Sequence, residues 1–181
     1  MRFDAGMITQ RQANFWTRWV LAALMLSGLT TAVVPVLSAD RNGIFRYRAQ
    51  TDCARIGAAV MQMIQDTGKS PADRMDGERY ACLLGEGSAP KGLFAPAGLC
   101  GDLASLLVDE GGTIWGEDWS GPYMMHVPAD PWGQAYVVTI TGFVDPDERP
   151  WVLSAGPDGV LETGPHSTEP VGDDIGITLG R

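Results

Sequence analysis

This chain has little of what most catalytic and metal-dependent chemistry requires. Its 181 residues include only two histidines and three cysteines, which leaves little material for a zinc centre of Cys and His ligands. No C-x-x-C occurs, so thioredoxin-like redox chemistry has no support. The glycines never lead into the G-K-[ST] ending of a phosphate loop. Ser154 stands in Ser-Ala-Gly, outside a G-x-S-x-G nucleophile elbow. His126 and His166 read as surface or packing residues, and no spacing among the acids selects a glycosidase-like pair. The chain is read as a non-enzyme.

Basic side chains are scarce too. Lys and Arg number 13 against 22 Asp and Glu, a net charge of −9. A general nucleic-acid binder is therefore excluded, because phosphate binding needs a basic surface. The deficit is local. Residues 101–181 carry 14 acids against Arg149 and Arg181, whereas residues 1–100 carry 8 acids and 11 bases. The 23 glycines and 12 prolines exclude a helical bundle along the whole length. A hydrophobic fraction of 45% excludes full disorder.

One uncharged apolar run is present, at residues 19–37. As a helix it would span roughly 28 Å, near the thickness of a bilayer core. Phe15, Trp16 and Trp19 lie at its start, as in an interfacial aromatic belt. Arg2, Arg11 and Arg18 precede it and favour a cytoplasmic N-terminus. Residues 1–14 thus read as a basic cytoplasmic leader and 15–37 as membrane-spanning. A cleaved signal peptide, with small residues at Ser38 and Ala39, is the competing reading.

Ile56, Ala59, Val60, Met63 and Ile64 then recur at helical spacing, and Gly68 with Pro71 marks a stop. The pattern predicts one long helix over 15–67, whose amphipathic part, 38–67, must pack on something. The acidic rear is the partner expected. Residues 68–112 form a Gly/Pro-rich variable region, without regular structure up to residue 100 and with a short helix over 101–110. Cys82 and Cys100 bracket that stretch. A disulfide between them is expected if the domain lies outside the cytoplasm, with Cys53 as a rival partner and three reduced cysteines as the third option. Residues 113–181 form the sheet region: 135–141 and 151–155 read as an antiparallel strand pair around the turn at 145–150.

Beyond that pair come Asp158 in a Gly/Pro turn, Glu162, Glu169 and the adjacent Asp173 and Asp174. Crowded carboxylates repel unless a cation neutralises them, and hard oxygen donors beside glycines suit calcium. The EF-hand ladder is missing. A solvated acidic loop is the alternative on composition alone.

Four elements in order carry a more specific signal: Gly121–Tyr123 (G-P-Y), Asp130–Gly133 (D-P-W-G), Ser154–Gly159 (S-x-G-x-D-G) and Asp173–Gly176 (D-D-I-G). Together they resemble the C-terminal domain of the major pseudopilin of type II secretion systems. The resemblance implies an α+β, pilin-like fold, in which a long N-terminal helix packs on a small antiparallel sheet with a C-terminal calcium loop. It implies calcium held by Asp158, Asp173 and Asp174, with backbone oxygens near Ala155 and in the 163–171 loop. It further implies an inner-membrane, single-pass subunit with a periplasmic domain. Such a subunit would polymerise with its own kind and with other pseudopilins on an inner-membrane secretion platform. The chain departs from the family at its front. With Val33–Pro35 in register, the peptidase cut falls between Ala13 and Asn14, and Arg18 replaces the family's glutamate. A second function follows from the residues alone: an exported calcium-dependent binding module with a cleaved signal peptide.

Overall fold

The structure is a computed structural model that describes residues 41–73, 79–93, 99–108 and 117–180. Residues 1–40, with the leader, the apolar run and the peptidase register, lie outside the described residues. Among the described residues no helix is long and apolar enough to cross a membrane.

Residues 41–67 are helical and are called α1 here. The three- and four-residue spacing buries one stripe: Ala49, Cys53, Ile56, Val60 and Met63. The helix ends where the Gly68 N–H bonds to the Ile64 carbonyl at 2.9 Å. Thr67 turns its hydroxyl back onto the Met63 carbonyl at 2.7 Å, so this buried polar group is satisfied locally.

α1 packs on a five-stranded sheet made of β1 (Cys82–Leu84), β2 (Cys100–Asp102), β3 (Val137–Thr139), β4 (Trp151–Ser154) and β5 (Ile175–Thr178), in the order β2-β1-β3-β4-β5. β1 and β2 run parallel, and the other three pairings are antiparallel. Strand periodicity then sorts the side chains. Leu83, Val138, Val152 and Ile177 stand opposite one another across four strands, and all four pack in the core cluster that holds the α1 stripe. Cys82, Val137, Trp151 and Leu153 form a second cluster with Ala155 and Leu161. The fold is thus α+β, a helix on a mostly antiparallel sheet, as expected of a pilin-like domain.

Four features differ from the sequence reading. The stretch 68–100, read without regular structure, contains β1 and the first residue of β2. Each strand is three residues long, too short to show a period, and each exists only through distant pairing. Second, the helix read over 101–110 is one turn, Ala104–Leu107, because Cys100–Asp102 is claimed by the sheet. The strand pair at 137–154 is present, but its connection opens with a helical turn at Thr141–Val144. Finally, the acidic rear is not the sole partner of α1: Leu83 of β1 joins the same core. Cys82 and Cys100 face each other in register with Cα atoms 4.5 Å apart and are joined by a disulfide, while Cys53 is free and buried.

Candidate functional site

The four elements singled out in the sequence each have a structural task. Gly121–Tyr123 closes the one-turn helix Ala104–Leu107. The N–H groups of Tyr123 and Met124 bond to the Leu107 carbonyl at 2.8 and 3.1 Å. The Trp119 indole N–H bonds to the Leu106 carbonyl at 3.3 Å. These satisfy carbonyls that a helix end leaves open. The Trp119 ring occupies the place of a side chain at Gly121, so only glycine fits there.

Asp130 organises the D-P-W-G turn from inside. It is buried, and its Oδ1 accepts the N–H groups of Trp132 and Gln134 at 3.0 and 2.8 Å. Asp is suited to this, since its short side chain mimics a backbone turn. Its Oδ2 accepts the Ser154 hydroxyl at 2.6 Å, which ties the turn to the end of β4. Ser154 has no histidine partner here and is a structural donor. The sequence marked Asp130 only as the first residue of a turn; the second role needs Ser154, 24 residues away.

Beyond Ser154 the chain turns through Gly156, at φ 65°, where a Cβ would approach the Asp173 carbonyl to 2.5 Å. This close approach brings the S-x-G-x-D-G turn against Asp173. Asp158 is exposed, and its Oδ1 accepts the Val160 N–H at 2.8 Å, closing its own turn. Asp174 is buried, with 4% of its surface exposed. Its Oδ2 accepts the N–H groups of Glu162 and Thr163 at 2.9 and 2.7 Å. The Thr163 hydroxyl in turn accepts the Val171 N–H at 3.0 Å. One carboxylate and one hydroxyl thereby hold both ends of the loop 162–171.

Two oxygens remain uncompensated. Oδ1 of Asp173 and Oδ1 of Asp174 are buried without a hydrogen-bond partner. Burial pushes the Asp174 carboxyl above the usual carboxylate range. The bonds from Thr163 and Glu162 oppose that shift, and the neighbouring Asp173 charge adds to it. The Glu162 carboxylate lies against Gly172, beside the same turn. Orphaned buried carboxylate oxygens are an arrangement that a hard cation would relieve. Among the described residues, however, no three His, Cys, Asp or Glu side chains are grouped to hold a metal. What the aspartates offer a hard cation is thus two orphaned carboxylate oxygens and no third acidic side chain. Asp158 is not grouped with Asp173 and Asp174 in this structure.

The Cys53 thiol donates to the Ile175 carbonyl at 3.6 Å, and burial, with Asp52 and Asp130 nearby, pushes it up to about 12. It is an inert packing group. His166 is exposed, with Nδ1 3.3 Å from the Asp147 carbonyl, and His126 is exposed.

Three of the four elements fall in a stretch that matches a known family. The model of type II secretion system (T2SS) protein G, the major pseudopilin, aligns with residues 102–171. This stretch is similar to that family. It holds the Gly121–Tyr123 cap, the Asp130 turn, β3, β4 and the loop up to Val171. α1, β1 and the Asp173–Asp174 pair lie outside the matched residues. Pseudopilins are structural parts of a secretion system, not an enzyme family. No curated protein and no solved structure matches the chain.

Proposed function

We propose that this chain is a structural pseudopilin subunit of a type II secretion system or a related filament. The observation that carries the reading is the match of residues 102–171 to the protein G family. α1 supports it, because this helix packs on the sheet that the matched residues help to build and follows the apolar run at 19–37 in the sequence. In this reading residues 15–37 anchor the chain in the inner membrane and the domain faces the periplasm. Subunits associate through their N-terminal helices, with themselves and with other pseudopilins, on the secretion platform.

The Cys82–Cys100 disulfide favours the same compartment, because such bonds persist in oxidising surroundings. Calcium would be held by Asp173 and Asp174 with the Ala155 carbonyl, and Asp158 would have to leave its own turn to join them. It would neutralise the buried carboxylates and bind only the folded loop, so it would stabilise the subunit by linkage.

Two measurements test this. The full chain, purified from membranes in mild detergent, is expected to sediment as multimers after detergent dilution and to keep the apolar run by intact mass. A strictly monomeric chain lacking residues 1–38 would overturn the structural-subunit reading. Calcium is expected to raise the melting temperature by several degrees. No rise would remove the cation from the proposal and leave the subunit role standing.

A further inference from the structure

Arginines follow the apolar run as well as precede it. Between Asp40 and Asp52 stand Arg41, Arg46 and Arg48 and no acid. They lie on the far side of residues 19–37 from the basic leader, against the usual preference for positive charge on the cytoplasmic side. The rear of the chain has the opposite character, since residues 101–181 carry 14 acids against Arg149 and Arg181.

In the structure this basic stretch opens α1. Ile44 is 64% and Tyr47 76% exposed, and Arg46 and Arg48 are exposed as well. Positions 46 and 48 are two residues apart, so they lie on nearly opposite sides of the helix and positive charge surrounds it. Arg48 has Asp52 at 3.7 Å, a carboxylate that also serves Arg55 at 3.6 Å and the Tyr136 hydroxyl at 3.3 Å. Arg46 has no ion pair among the described residues. Phe45 turns inward and meets Trp132 of the D-P-W-G turn edge to face, with ring centroids 5.9 Å apart. Whatever holds Ile44–Arg48 therefore also holds the body of the domain.

We propose that Ile44–Arg48 docks on the anionic headgroup layer of the membrane that anchors the chain, with Arg46 and Arg48 on lipid phosphates. Exposed aliphatic, aromatic and arginine side chains on one short helical segment suit a lipid–water boundary, where the apolar groups meet the acyl ends and the guanidinium heads reach the phosphates. The tether is short. Seven residues separate the end of the apolar run from Ile44, a reach of about 10 Å as a helix and at most about 25 Å extended. The headgroup layer itself is roughly 5–8 Å deep on each side of the hydrocarbon core. Basic residues beside a span add membrane affinity where the lipids are anionic. The same surface repels the acidic rear, so the two charges favour one orientation of the domain. This inference rests on the anchored-subunit reading and adds the class of lipid that the domain recognises.

The test uses the full chain reconstituted in vesicles of phosphatidylcholine alone or of phosphatidylcholine and phosphatidylglycerol in equal parts. An environment-sensitive fluorophore is placed on Gln50→Cys, an exposed position one turn from Arg46 and Tyr47. Cys53 is buried and does not compete for the label. Emission is expected to be roughly threefold higher with phosphatidylglycerol and to fall as salt is raised. Arg46→Gln with Arg48→Gln is expected to remove the difference. Arg46→Gln alone, which leaves Asp52 its partners, should remove about half of it. Equal emission in both vesicles, or a glutamine pair that keeps the difference, would overturn the proposal. So would a response to glycerol 3-phosphate in phosphatidylcholine vesicles, which would make free phosphate the ligand. A response that follows the number of chains per vesicle and not the lipid charge would make a second copy the occupant and overturn it too. Alkaline carbonate extraction separates the two readings. A chain that stays in the bilayer without lipid dependence refutes this contact alone, whereas a chain that is extracted refutes the anchor and this contact with it.

Discussion

α1 and the loop 155–174 are held to the same sheet by different forces. α1 is fixed by apolar burial, through Cys53, Ile56, Val60 and Met63 against Leu83, Val138 and Val152. The loop is fixed by polar side chains that bond to backbone N–H groups: Asp158 to Val160, Asp174 to Glu162 and Thr163, and Thr163 to Val171. Burial is non-directional and insensitive to pH, whereas a buried carboxylate is strong only while its charge is compensated. Stability of the helix should therefore follow packed volume, and stability of the loop should follow pH and cations.

The comparison breaks most severely if α1 is loosened. Ile56→Ala is expected to cost about 2–5 kcal/mol in urea unfolding, because it removes a fully buried side chain from the helix–sheet core. That cost should be the same with and without calcium. Next comes the disulfide, which pins the edge strand β2 to β1. Replacing Cys82 and Cys100 by serine opens a loop with a sequence separation of 18 and should cost about 3 kcal/mol. A loss far below that would mean that the parallel pairing holds β2 without the bond.

A smaller effect is expected at the junction between the two regions. Ser154→Ala leaves Asp130 Oδ2 without its donor and should cost about 1–3 kcal/mol by the same unfolding measurement. The most informative change is the mildest. Asp174 binds its proton more tightly in the folded chain than in the unfolded one, because burial raises its pKa. Its ionisation therefore costs stability, which is lost as the pH rises above the usual carboxylate value. In metal-free buffer, the stability of Asp174→Asn relative to wild type should improve as the pH rises from acid to neutral. Calcium should reverse the order at neutral pH by stabilising only the wild type. A variant that trails the wild type equally at every pH would show that Asp174 acts only through its two backbone bonds.

α1 was readable because Ile56, Val60 and Met63 repeat at the helical period, and Gly68 ends the pattern. β3 and β4 were readable because β-branched and aromatic residues concentrate there. β1 and β2 were not. Leu83 makes strand contacts only because Val138 lies opposite it, and Cys100 pairs with Cys82 from 18 residues away. β5 hid for a related reason: Ile175 and Ile177 alternate with Gly176 and Thr178, a four-residue pattern that read as a loop element.

The candidate site divides in the same way. Local chemistry in the sequence determined the turns at Asp130 and Asp158, because each bonds to N–H groups that its own short segment presents. It also determined the charge imbalance between the front and rear of the chain, and the order of elements that resembles the family. Only the tertiary structure decided that Asp130 reaches Ser154 and that Asp173 and Asp174 each bury an oxygen without a donor. Such facts depend on the distance between segments far apart in the chain, and packing sets that distance where composition and spacing do not.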